Sequence, residues 1–174
     1  MNTGKMDIFT AIATRGSIRK FMPDPVTDEE LRAVLDAGFC APSARNIRPW
    51  HFIAIRDKAA LRDLADTSLY AHFADTAGCA VIVCGDSGLH SIRELLHEDC
   101  SAAVENMLLC IHGMGLGGVW CGLVSDQSWY PKLVERFHIP PHIVPMAVIV
   151  FGHPAEGKEQ PSRFEADKVH YDRW

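Results

Sequence analysis

The stretch IRELLHEDCSAAVENMLLCIHGM (92–114) constrains this chain more than any other. Its spacing predicts one long helix carrying Leu95, Leu96, Ala102, Ala103, Met107, Leu108 and Ile111. The second half is apolar nearly all round. Such a helix must be covered on every side, either at a domain centre or against a partner chain. The glycines of GLGG (115–118) close it.

The rest of the chain supplies the cover. CAVIVC (79–84) and PMAVIVF (145–151) are short, continuous apolar runs, which read as buried strands and are far too short to span a bilayer. WHFIAIR (50–56) is rich in β-formers, and VWCGLV (119–124) reads as a further short strand. MDIFTAIAT (6–14) places Phe9, Ile12 and Ala13 on one helical face. Thr27-Asp28-Glu29-Glu30 spells a capping box, ahead of a helix that buries Leu31, Val34 and Leu35 and ends near Gly38. DKAALRDLADTSL (57–69) and SWYPKLVERFH (128–138) read as two more helices, the first with Leu61, Leu64 and Ala65 on one face. From Gly152 to Trp174 there are charges, prolines and aromatics but little periodicity. Helices and strands are mixed, so the residues leave α/β and α+β both open. No repeat or linker divides residues 1–174, which suffice for one domain with a real core.

A net charge of −5 argues against nucleic acid or an anionic membrane as the main partner. A local arginine cluster can still take a small anion. The N-terminus lacks the apolar stretch of a signal peptide. The six cysteines show no C-x-x-C pair and sit mostly among apolar residues, so reduced thiols and a cytoplasmic location are expected.

Three groups carry the chemistry. In RGSIR (15–19), an extended backbone would point residues 15, 17 and 19 the same way, offering two guanidiniums and a hydroxyl to phosphate-like oxygens. A solvated, basic helix end is the plainer alternative. In CAPSARNIRPWHF (40–52), Pro42 and Pro49 stiffen the backbone while Ser43, Arg45 and Asn46 supply donors that suit a heteroaromatic edge. A helix-to-strand turn satisfying itself is the alternative there. In GLGGVWCG (115–122), the order is helix then strand, the reverse of a dinucleotide-binding fingerprint. Gly122 would let a backbone N–H approach a flat ligand, unless the glycines only cap the helix. His97-Glu98-Asp99-Cys100 is a weak metal candidate, because consecutive helical residues do not face one way.

Taken in order, RGSIRKF, APSARNIRPWHF, ENMLLCIHGMGLGGVWCG and VIVFGHPAE…PSRF resemble the FMN-dependent nitroreductase family in its short, single-domain form. Gly16 and Arg48 depart from the residues common there, which bears on substrate choice. The resemblance implies an α+β fold with a mostly antiparallel central sheet flanked by helices. It also implies an intertwined homodimer with FMN in two interface sites and the tail, about 152–174, reaching over the partner. Arg15 and Ser17, beside Gly16, then look like contacts to the FMN phosphate and ribityl chain, with Arg163 as a second phosphate clamp. Arg19 looks like the cation beside the N1/O2 side of the ring. Pro42, Ser43 and Ala44 resemble the segment that packs on the ring from the other subunit, with Asn46 bonding the flavin or ordering that segment. Cys121 and Gly122 resemble the strand whose backbone meets the N5/O4 edge. The implied activity is ping-pong hydride transfer from NADH or NADPH, through flavin N5, to a nitroaromatic, quinone or similar small acceptor. No side-chain acid or metal is then needed. Alternatives on the same fold are a reductive dehalogenase, a flavin-fragmenting enzyme, or a flavin-binding sensor or carrier with little turnover. A cysteine-based redox protein without flavin is a fourth reading.

Overall fold

Strand β2 (Cys79–Asp86) is buried along almost its whole length, which requires cover on both faces. A computed structural model, which describes residues 6–123, 125, 127–161 and 163–174, shows how that cover is arranged. Strands β1 (Trp50–Ile55), β2, β3 (Gly117–Gly122) and β4 (Ile143–Gly152) form one sheet in the order β1-β2-β4-β3. Every neighbouring pair is antiparallel. The period of two then sorts the side chains. Cys79, Val81 and Val83 face a core built on helices α2 (Asp28–Phe39) and α4 (Arg93–Gly113). Ala80, Ile82 and Cys84 face a second core beneath α3 (Lys58–Thr67) and α5 (Tyr130–Arg136). A bulge between Val83 and Cys84 lets β4 pass with one extra residue. The architecture is the expected α+β sheet flanked by helices.

Local chemistry sets the helix ends. The Thr27 hydroxyl accepts the Glu30 N–H, and the Glu30 carboxylate accepts the Thr27 N–H at 2.8 Å, so the capping box forms in full. Asp57 caps α3 by accepting the Ala60 N–H. Gly115 ends α4 at φ +81°, and the Leu116 N–H returns to the Ile111 carbonyl at 3.0 Å, a Schellman closure. Gly38 is where α2 crosses α4: an added Cβ there would lie 2.3 Å from Met107 and 3.0 Å from Phe52.

One expectation about the elements needs correcting. The glycines at 117 and 118 belong to β3, not to the helix stop. They are small because Ile18 and Ile111 press on them, with a Cβ at Gly117 falling 2.7 Å from Ile18. The strand therefore starts two residues early and ends at Gly122, and the expected end at Val124 lies outside the described residues. Helix α1 (Ile8–Thr14) buries only Ala11, while Phe9 is 81% and Ile12 60% exposed, so the face that carries them looks outward. Helix α4 lies against the sheet and against α2, and none of residues 99–113 is fully exposed, as the apolar pattern requires. A strip of its surface, with Leu109, Cys110 and Met114, borders a groove of about 870 Å³ shared with Ile8, Ala33 and Ala37. Among the described residues no helix is long and apolar enough to cross a membrane.

Candidate functional site

The first site segment leaves α1 and meets the outer edge of β3. Ser17 forms an isolated bridge with Gly118, and the Ile18 N–H donates to the Gly118 carbonyl at 3.0 Å. Ile18 turns inward and is buried. The two arginines diverge from there, rather than lining one edge. Arg15 pairs with Glu105 on α4 at 3.4 Å. Arg19 instead lines a cleft of about 460 Å³ with Tyr70, His72, Trp120, Cys121 and Gly122. Glu156 accepts the Arg19 N–H at 2.8 Å and fixes its backbone.

Close to Arg15, the Thr14 hydroxyl donates to the Thr10 carbonyl at 2.7 Å, so toward the His112 ring it is an acceptor. His112 Nε2 stands 2.8 Å away and must carry the proton. Burial, and then the Arg15 charge, hold the His112 pKa below the usual histidine value. This keeps the ring neutral beside Arg15. Gly16 leaves room for the Gln160 amide, which would lie 2.5 Å from a Cβ added there. The same Gln160 accepts a hydrogen bond from Arg163. Arg15, Gly16 and the tail arginine are thereby brought to one corner.

Among the described residues β3 ends the sheet, with β4 on one side and the Ser17 bridge to Gly118 on the other. An edge presents backbone groups that no ladder consumes. At Gly122 an added Cβ would meet nothing within 4 Å, so the strand is open there. Cys121 points inward instead. Its thiol donates to the Tyr70 carbonyl at 3.1 Å, tying the 69–73 loop to the strand. Burial pushes this thiol up to about 11, against the pull of Arg19, and pushes Cys79, Cys84 and Cys100 up to about 12. Thiols so hard to ionise are poor nucleophiles, which disfavours a redox mechanism built on them.

The third segment lies elsewhere. Pro42, Ser43, Ala44 and Asn46 follow α2 and lead into β1, the opposite edge of the sheet from β3. Three spacings of ~4.8 Å separate those edges by roughly 14 Å. The segment is also strained. Arg45, Asn46 and Arg48 all have φ between 53° and 55°. Left-handed non-glycine residues cost on the order of 1 kcal/mol each, and such strain gathers at ligand clamps. Ser43 Oγ accepts the Arg48 N–H at 2.8 Å, and Asp99 Oδ1 accepts the Ala44 N–H at 2.8 Å. Asp99 and His112 lie thirteen residues apart on α4, about 20 Å at 1.5 Å per residue. One chain therefore holds two candidate half-sites, Arg15–Arg19–Gly122 and 42–46, apart.

The Nitroreductase family pattern matches residues 12–78 and 67–153. The chain is 39% identical, over 98% of its length and 89% of the relative's, to a protein of Methanothermobacter thermautotrophicus assigned as an NADH dehydrogenase/NAD(P)H nitroreductase. The chain belongs to the nitroreductase family. Its fold superposes with a TM-score of 0.90 on a protein of the same assignment from Bacteroides thetaiotaomicron, at 34% identity over 96% of this chain and 98% of that one. A nitroreductase-type protein of Desulfovibrio desulfuricans, solved in complex with FMN, superposes at 0.84 with 32% identity over 97% and 98% of the two chains.

For a nitroreductase-family chain, the sequence reading missed one wall of the cleft. Leu69, Tyr70, His72 and Phe73 come from the segment after α3, and Trp120 from β3. The run SLYAHF, four large rings or apolar groups beside a helix end, was the available signal. Asp99 was weighed only as a metal ligand. Its place on an otherwise apolar helix face was the clue to its bond with Ala44.

Proposed function

We propose that this protein is an NAD(P)H-dependent flavin oxidoreductase that binds FMN between two copies of the chain. The observation that carries the reading is the separation of the half-sites. Residues able to face a ring lie on opposite edges of one sheet, and a second copy is what brings a 42–46 segment against another chain's Arg19 and Gly122. The exposed apolar face of α1 and the groove beside α4 supply the surface for that pairing.

The residues fit the cofactor. The corner of Arg15, Gly16, Ser17 and Arg163 offers two guanidiniums and a hydroxyl, as a phosphate requires. Gly122 offers an open stretch of edge strand to the rim of a flat ring. Arg19 stands in the same cleft, where a fixed cation favours the more negative, reduced state of a ring beside it. Pro42, Ser43, Ala44 and Asn46 form a stiff surface for the ring's face. A bound flavin would supply two-electron transfer from a reduced nicotinamide to a small acceptor such as a quinone or nitroaromatic. The chain's own groups orient, exclude water and set the charge; none need act as acid or nucleophile.

The purified protein should be yellow, should bleach anaerobically with NADH or NADPH, and should recover colour on addition of a quinone or nitro compound. A colourless protein that takes up no FMN defeats the reading, and colour without bleaching leaves a carrier instead of an enzyme. Arg19→Ala should lower the midpoint potential of the bound flavin by about 30 mV, ~1.4 kcal/mol for a two-electron couple. A redox titration against dyes of known potential measures it, and an unchanged potential removes Arg19 from the ring.

A further inference from the structure

We propose that Asp99 is a positioning residue that holds the strained 43–48 segment in the shape a flavin ring packs against, a proposal that rests on the FMN reading above. Asp99 is 5% exposed. One carboxylate oxygen, Oδ1, accepts the Ala44 N–H at 2.8 Å. The other, Oδ2, is sealed from solvent and has no donor among the described residues. Packing alone would not choose this group, because an apolar side chain of like size would fill the space without losing hydration. What a carboxylate adds is a charge-assisted bond to a backbone N–H, stronger than a neutral acceptor makes.

That bond has a specific object. The other backbone hydrogen bonds of the segment are internal: Asn46 N–H to the Ser43 carbonyl, Ile47 N–H to the Ala44 carbonyl, and Arg48 N–H to Ser43 Oγ. Among the described residues, Asp99 is the one group outside the segment that bonds to its backbone. It also belongs to a series. Asp99, Asn106 and Cys110 fall on one face of α4, and each grips a backbone atom of the chain running past: Ala44 N–H, the Ala37 carbonyl at 3.2 Å and the Ala33 carbonyl at 3.5 Å. The series follows α2 to its end and then takes hold of the strained turn. Without Asp99, the left-handed residues 45, 46 and 48 would relax toward ordinary backbone, and the surface offered to the ring would be lost.

The test uses the whole protein. The Arg45–Asn46 bond is a trypsin site, whereas Arg48 precedes Pro49 and resists. In the flavin-free protein, Asp99→Ala should speed cleavage after Arg45 at least tenfold, and on FMN titration should weaken binding at least tenfold. Asp99→Asn keeps an oxygen acceptor for the Ala44 N–H, weaker for want of the charge, and should bring both values to between those of Asp99→Ala and the parent. Ala44→Pro removes the donor without emptying the buried site. It should repeat the Asp99→Ala result, and it stands in if that variant fails to fold. Parental cleavage in Asp99→Ala or in Ala44→Pro overturns the proposal, as does an Asp99→Asn protein as labile as Asp99→Ala. If the parent binds no FMN, the cofactor reading falls, while the trypsin comparison still decides what Asp99 does.

Discussion

Replacing Arg15 with alanine should loosen FMN by about 30- to 100-fold, the equivalent of ~2–3 kcal/mol. The side chain is half-buried and already aimed by its pairing with Glu105 at 3.4 Å, so little freedom is lost when it meets a phosphate. Its removal takes away a charge-assisted, forked contact and leaves the Glu105 carboxylate near an anion with nothing between them. Titration of the flavin-free protein with FMN and, separately, with riboflavin isolates the effect. Riboflavin lacks the phosphate, so its affinity should move less than about threefold. Equal weakening of both ligands, or of neither, would take Arg15 away from the phosphate.

Charging the outer face of α1 should have the second large effect. Phe9 is 81% exposed, Ile12 60% and Ile8 54%, on a helix of seven residues that buries one alanine. So much apolar surface on one short element is a contact waiting for cover. In the shared-site reading, the double change Phe9→Glu with Ile12→Glu puts two carboxylates into a dry interface, each costing several kcal/mol. The protein should then sediment as a monomer at micromolar concentration and come off the column without flavin. Since neither side chain is buried within the chain, secondary structure by circular dichroism should be unchanged. A variant that stays dimeric and yellow would show that the two copies meet elsewhere, or that no second copy is needed.

Much of the fold was legible because it rests on local rules. The Thr27–Glu30 box, the apolar run 79–84 of β2 and the length of α4 need only spacing and capping to be read. The failures are of another kind. In α1 the pattern puts Phe9, Ile12 and Ala13 on one face, but a sequence cannot say whether that face is covered by the same chain. Gly117 and Gly118 looked like a helix stop because glycine is permissive, while their actual reason, the approach of Ile18 and Ile111, is a long-range contact. At the site, arginines 15 and 19 were visible as a pair. That they part company, one to Glu105 and one to the Tyr70–Cys121 cleft, depends on where β3 lies. Asp99 was the hardest to see, because a carboxylate gripping a backbone N–H fifty-five residues away leaves no local pattern.

The thirteen-residue offset along α4 has a genetic consequence. If each pocket draws its anion corner from one polypeptide and its stiff lid from the other, then a lesion in either part silences both pockets of a pure mutant pair. Two such mutants, one crippled at Arg15 and one at Asp99, would complement when co-expressed: in the mixed pair both faults fall into one pocket, and the other is rebuilt whole.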